Sequence, residues 1–212
     1  MIKQGTSGIV LPGISCAYIG GDPVYHKLPS GYTECSYVRS NANAWFATNL
    51  YLTSKSEVIA DLQFEGSAGN VYGCYTGSNA SDNFCLYAGS ASSDAYIRWD
   101  GHLYRAFRPT SGTRYKIRHS WNGFVVDGTA ETNPFTDNPD SVFTCANPFY
   151  VGNLANSSAA KLKGRIYRLT VKTNGGVVMD LVPCQNSSNV CGLYDVIGRT
   201  FYQSQGTAFT GA

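Results

Sequence analysis

Tyr115-Lys116-Ile117-Arg118-His119-Ser120-Trp121-Asn122-Gly123-Phe124-Val125-Val126-Asp127 is the stretch whose reading decides the fold. Tyr115, Ile117, His119 and Trp121 alternate with Lys116, Arg118 and Ser120, the period of two expected of a strand with one face on a core. Asn122-Gly123 then separates two apolar runs, and both residues tolerate the positive φ of a tight hairpin turn. A β-hairpin centred on Asn122-Gly123 is expected.

The same period recurs on either side. Val58, Ala60, Leu62 and Phe64 alternate with Ile59, Asp61 and Gln63, which predicts a core strand. Glu57, Asp61 and Glu65 share its other face, where solvation explains them. A third strand is expected over 163–172, with Ile166 and Leu169 on opposite faces and a turn at Gly175-Gly176 leading into 177–182. No long helical stripe competes with these signals.

Composition agrees. Of 212 residues, 14% are charged and 13% aromatic, including 15 Tyr, while 23 Gly supply turns. Tyrosine and β-branched residues suit pleated, half-buried surfaces, and long charged helix formers are scarce. The fold class expected is all-β, a two-sheet antiparallel jelly-roll sandwich over 28–212, preceded by an N-terminal arm and small hairpin over 1–27. Gly20-Gly21-Asp22-Pro23 between two short apolar runs marks that hairpin.

A net charge of +2 gives no broad reason to bind nucleic acid or an acidic membrane. Arg114, Lys116 and Arg118 alternate and would share one strand face, ordinarily a solvated one. Seven cysteines, Cys16, Cys35, Cys74, Cys85, Cys145, Cys184 and Cys191, show no CxxC spacing, so a zinc site is not expected. Cys184 with Cys191, or Cys74 with Cys85, could bridge; buried free thiols are the preferred reading, which fits a reducing cytoplasm. The N-terminus lacks the apolar core of a signal peptide, and no apolar run is long enough to insert in a bilayer.

Leu28-Pro29-Ser30-Gly31-Tyr32-Thr33-Glu34, Trp45-Phe46-Ala47-Thr48-Asn49, Trp121-Asn122-Gly123 through Asp127-Gly128, Phe149-Tyr150-Val151-Gly152-Asn153, Lys163-Gly164-Arg165-Ile166-Tyr167, Asp180 to Cys184, Gly192 to Asp195 and Thr200-Phe201-Tyr202 follow one another in order. In this order they resemble the concanavalin A-like lectin/glucanase superfamily, in its laminin-G-like jelly-roll form, as found in gut bacterial and phage structural proteins. The segments look like scaffold rather than chemistry, so the resemblance speaks to fold more than to function.

A glycosidase on this fold needs two carboxylates flanking the bond. The four glutamates, Glu34, Glu57, Glu65 and Glu131, do not form the Glu-x-Asp-x-x-Glu strand motif of the glucanase branch. His26, His102 and His119 are dispersed, and no nucleophile elbow or phosphate-cradling loop occurs. His119, in phase with Ile117 and Trp121, reads as a satisfied, partly buried histidine. Asp137, Asn138 and Asp140 are an oxygen-rich run of the kind that holds calcium in some laminin-G-like domains, but a Pro-rich turn is its commoner cause. Neither a catalytic site, a metal nor a cofactor is expected.

Sugar recognition needs aromatic faces beside planar hydrogen-bonding groups. Tyr96, Arg98, Trp99, Asp100, His102 and Tyr104 gather such groups around one turn, and Asp100-Gly101 suits a hairpin that could present Trp99 at its tip. A core or subunit-contact role for Trp99 is the plainer reading, and the same holds for Tyr72, Tyr75 and Tyr87. The functional expectation is a non-catalytic phage virion accessory or adhesion protein. It would dock on other virion proteins through the arm, form a homo-oligomer, and bind a host-surface glycan weakly. It would be assembled in the bacterial host cytoplasm and displayed on the virion surface. A ligand-free capsid or tail decoration and a glucanase-type hydrolase are the alternatives.

Overall fold

The computed structural model describes residues 14–19, 22–65, 69–77, 80–88, 94–130, 142–154 and 161–212, with side chains described from Leu28 onward except at Ala88 and Ala130. Among the described residues every regular element is a strand and no helix is long and apolar enough to cross a membrane. The N-terminal hairpin pairs β1 (Ile14–Ile19) with β2 (Asp22–Lys27) as a two-stranded sheet of its own. Then follow β3 (Tyr32–Glu34), β4 (Val38–Asn41), β5 (Phe46–Ala47), β6 (Ser56–Phe64), β7 (Asn70–Cys74), β8 (Phe84–Ala88), β9 (Ala95–Trp99) and β10 (His102–Phe107). The second half holds β11 (Arg114–Ser120), β12 (Gly123–Val126), β13 (Thr129–Ala130), β14 (Tyr150–Val151), β15 (Lys163–Thr173), β16 (Gly176–Asn186), β17 (Cys191–Asp195), β18 (Thr200–Gln203) and β19 (Thr210–Gly211).

Two antiparallel sheets form the sandwich. The small sheet runs β10-β9-β8-β7-β14-β5; the large one runs β13-β12-β11-β6-β15-β16-β17-β18, with β3, β4 and β19 added at its margins. Their inner faces close one core. Val58, Ala60, Leu62 and Phe64 of β6 lie in it with Ile117, Phe124, Leu169 and Leu181, opposite Phe46, Tyr72, Phe84, Leu86, Ile97 and Trp99 of the small sheet. Removing this much apolar surface from water is the chief favourable term of folding.

The expected core strand is β6, buried at every other residue. Two turns fall one residue earlier than expected. Ser120 pairs with Gly123, so Trp121-Asn122 makes the first connection. Thr173 pairs with Gly176, so Asn174-Gly175 makes the second, with φ of 50° and 80°. The type I′ geometry needs positive φ at both central residues, and asparagine followed by glycine meets that where Gly175-Gly176 would waste the asparagine.

Ile166 and Leu169 do not lie on opposite faces. Both are fully buried in the core, because a β-bulge at Tyr167 sets Ile166 opposite Leu62 and Arg168 opposite Asp61. One extra residue restores the phase that a spacing of three breaks. It also sends both Tyr167 and Arg168 outward. Arg168 donates from Nε and a terminal nitrogen to the fully buried Asp180 at 2.9 and 2.5 Å, and Thr170 Oγ1 donates to the same carboxylate at 3.0 Å.

Candidate functional site

The turn at Asp100-Gly101 forms as expected, with φ of 49° and 75° and Trp99 paired with His102. The pleat then divides the residues that the sequence groups. Ala95, Ile97 and Trp99 face the core, so Trp99 is 1% exposed, edge-on to Phe143 at 5.5 Å, and cannot serve as an exposed platform. His102 and Tyr104 pair with Trp99 and Ile97 and therefore share that side, with Tyr104 packed on the core. Tyr96 and Arg98 face outward, and Asp100 stays at the turn. Tyr72 is buried in the core, whereas Tyr75 and Tyr87 are half-buried.

Strand register gathers a different set around Tyr96 and Arg98. Across the outer face of the small sheet, Leu103, Arg98, Cys85, Gly73, Tyr150 and Ala47 are successive cross-strand partners, one from each strand. Beside them Arg105, Tyr96 and Tyr87 are partners in the same way. Tyr87 and Tyr96 stack at 5.8 Å and 24°, and the Arg98 guanidinium lies 6.0 Å from the Tyr87 ring and 5.9 Å from that of Tyr75. On the far side Trp45 stacks on Tyr150 at 5.8 Å and 24°. With strands ~4.8 Å apart and Tyr87 two residues beyond Cys85, the register partner of Gly73 and so level with Tyr150, the two tyrosines stand roughly 12 Å from one another, backbone to backbone, across the sheet.

Between them the strands approach closely. Gly73 has φ +144°, and a Cβ there would come 2.3 Å from the Cβ of Cys85, so only glycine fits. Cys85 is fully buried, and that burial pushes its thiol up to about 12. Burial likewise raises the Tyr87 phenol above its ordinary value, so at neutral pH it is an uncharged hydroxyl able to donate and accept. The face thus carries aromatic groups and a guanidinium whose side chains lie over the buried Gly73 and Cys85. Trp45, Leu103 and Tyr150 were not singled out from the sequence as site residues; the local hairpin at Asp100-Gly101 places Leu103 here, and long-range pairing places Trp45 and Tyr150.

The large sheet's outer face also carries tyrosine and arginine, in a different state. Glu57, Asp61 and Glu65 share one side of β6, as expected, and each is ion-paired: Glu57 with Arg118 (3.8 Å) and Lys172 (3.4 Å), Asp61 with Arg114 (2.6 Å), and Glu65 with Arg39 (2.6 Å) and Arg165 (2.9 Å). The basic stripe of β11 is outward, with Arg114 and Arg118 engaged by these carboxylates. Arg114 lies 3.7 Å from the Tyr167 ring centre and Arg165 4.4 Å from that of Tyr37, so the ring faces are capped. A hollow of about 410 Å³ lies there, lined by Ile59, Asp61, Arg114, Lys116, Tyr167, Arg168 and Thr170.

His119 is fully buried rather than partly so, 4.2 Å from the Phe84 ring, and burial lowers its pKa to about 3. A neutral imidazole sealed in the core reaches no substrate. The six described cysteines are free thiols; Cys74 lies in the core while Cys85 faces outward, so these two do not oppose each other. Asp137, Asn138 and Asp140 lie outside the described residues. Among the described residues no group of three or more His, Cys, Asp or Glu is placed to hold a metal ion.

No family model matches the sequence, and no curated protein matches it. A solved structure from Bacteroides ovatus, described as a "putative carbohydrate binding protein", is similar with a TM-score of 0.53 at 12% identity, over 84% of this chain and 60% of that one. The chain is therefore a two-sheet antiparallel sandwich similar in fold to that protein, and it spans 60% of that protein's length.

Proposed function

We propose that the protein is a non-catalytic carbohydrate-binding module of the concanavalin A-like kind, which holds a neutral glycan on the outer face of its small sheet. The observation that carries this reading is the outward set of Tyr87, Tyr96, Arg98, Tyr150 and Trp45 that strand register gathers on one face of the small sheet. Sugar rings present apolar C–H faces and equatorial hydroxyls, which match aromatic faces and a planar guanidinium. The fold likeness to a Bacteroides protein described as carbohydrate-binding supports the same class of ligand. Glycan-array screening followed by calorimetry on the hits is the test. Tyr87→Ala and Tyr96→Ala should each weaken binding at least about tenfold, roughly 1.4 kcal/mol, without loss of the β-sheet circular dichroism signal. No ligand at millimolar protein, or unaltered affinity in both variants, would refute it.

The setting in this proposal is a virion surface, where several copies raise the avidity of a weak site. Among the described residues the N-terminal hairpin pairs only with itself as a sheet, which suits a docking segment. Removing residues 1–27 should leave a folded sandwich that is no longer incorporated into particles. Normal incorporation of the truncated chain would overturn the docking assignment.

A further inference from the structure

A second hollow lies at one rim of the large sheet, away from the small-sheet platform and independent of it. Three neighbouring strands end there: β6 begins, β11 runs into its turn, and β15 runs into its own, with Glu57 paired to both Ser120 and Lys172. The hollow, about 580 Å³, is lined by Lys55, Glu57, Arg118, Trp121, Asn122 and Lys172, among others. Trp121 is 38% exposed at the hairpin turn, an uncommon position for so large an apolar side chain. The Lys55 ammonium stands 4.7 Å from the centre of its ring. Glu57 is shared between Lys172 at 3.4 Å and Arg118 at 3.8 Å.

Charge decides what this hollow can take. Three cations face one carboxylate, which leaves two positive charges in excess within a concave, partly desolvated space. A neutral sugar would use the indole and ignore that excess. A small inorganic anion would use the charge and ignore the indole. A pyranose bearing a carboxylate uses both: Lys55 leaves the Trp121 ring for the carboxylate, which it shares with Lys172 and Arg118, the sugar's C–H face takes its place on the indole, and the hydroxyls reach the amides of Asn122 and Asn174. We propose that the rim pocket formed by Trp121, Lys55, Arg118 and Lys172 binds a carboxylated sugar, either a hexuronate or a sialic acid.

Calorimetric titration of the full chain with digalacturonate, with sialyllactose and with lactose tests this. One or both acidic sugars should bind and lactose should not compete with them; which acidic sugar binds identifies the source of the carboxylate. Raising salt from 50 to 500 mM should weaken the acidic ligand several-fold, since exposed charges are screened over that range. Trp121→Ala and Lys55→Ala should each weaken it at least about tenfold. Glu57→Gln should tighten it, because the cations lose their internal competitor. Tyr87→Ala, on the opposite sheet, should leave it unchanged, so failure of either site is read separately. Equal binding of lactose and the acidic sugars, or unaltered affinity in Trp121→Ala with the circular dichroism signal retained, overturns the proposal.

Discussion

Acidification should weaken this fold in a window that belongs to one side chain. His119 is fully buried among aromatic rings, 4.2 Å from Phe84, 5.8 Å from Phe124 and 6.3 Å from Tyr72. Burial lowers its pKa from 6.5 to about 3 in the folded state. Between those two values the unfolded chain binds a proton that the folded chain refuses. Stability therefore falls as pH drops below 6.5, by roughly 1.4 kcal/mol for each pH unit, until the folded-state value is reached. At pH 4.5 the loss is about 3 kcal/mol, a large share of the ~5–15 kcal/mol typical of a domain.

The carboxylates act lower down. Hydrogen bonds from Thr76 and Arg108 hold Asp82 and Asp94 below the ordinary 3.8, so the stability they contribute is present above that value and is lost only beneath it. Urea unfolding followed by tryptophan fluorescence at pH 7.5, 5.5 and 4.5 measures the effect. His119→Leu, which carries no proton, should flatten the pH dependence in this interval whatever its own stability. A wild-type protein as stable at pH 4.5 as at 7.5, or a variant that loses as much as wild type, would refute the reasoning.

Trp99→Ala should cost about 3–5 kcal/mol by urea unfolding, as truncation of a fully buried large side chain does, whereas an exposed tip residue would cost almost nothing. Gly73→Ala adds a methyl that meets Cys85 at 2.3 Å on a backbone disfavoured for side chains. It should destabilise by roughly 2–5 kcal/mol or abolish soluble expression, and wild-type stability would remove the close-approach argument. Asp180→Ala leaves the Arg168 guanidinium, 24% exposed, without its carboxylate; thermal or urea unfolding should register a loss of about 3 kcal/mol, and a loss under 1 would show that water replaces it fully.

The sandwich was legible because period-two alternation is local. On β6 the inward set from Val58 to Phe64 and the outward set containing Glu57 and Asp61 never fall out of step. The bulge at Tyr167 was not legible. A tyrosine sits equally well on either face, so nothing in the residue types marks it as the extra one. Trp99 is a different case: Ala95, Ile97 and Trp99 form an apolar alternation against Tyr96 and Arg98, and that pattern already points the indole inward. Gathering all six residues around one turn set aside the phase that the strand imposes. Trp121 errs the other way, since it continues the Ile117–His119 phase but the strand ends at Ser120 and the turn carries it out.

Tyr150 and Trp45 join the small-sheet face only because β14 inserts between β7 and β5, a pairing between residues more than seventy positions apart. No local pattern encodes that. What separates the two outer faces is the placement of carboxylates rather than the supply of aromatics. On the large sheet Arg114 and Arg165, paired with Asp61 and Glu65, lie over Tyr167 and Tyr37 at 3.7 and 4.4 Å, and the rings are already occupied. On the small sheet Asp94 sits at the end of the face and engages Arg105 and Arg108, while the register partners of Arg98 are Cys85 and Leu103. No carboxylate stands in that row, and the Arg98 guanidinium lies about 6 Å from the centres of the Tyr75 and Tyr87 rings. A ring face that an ion-paired arginine already covers cannot accept a sugar without first breaking that pair, which is the physical reason the proposed neutral-glycan site is placed on the small sheet and not on the large one.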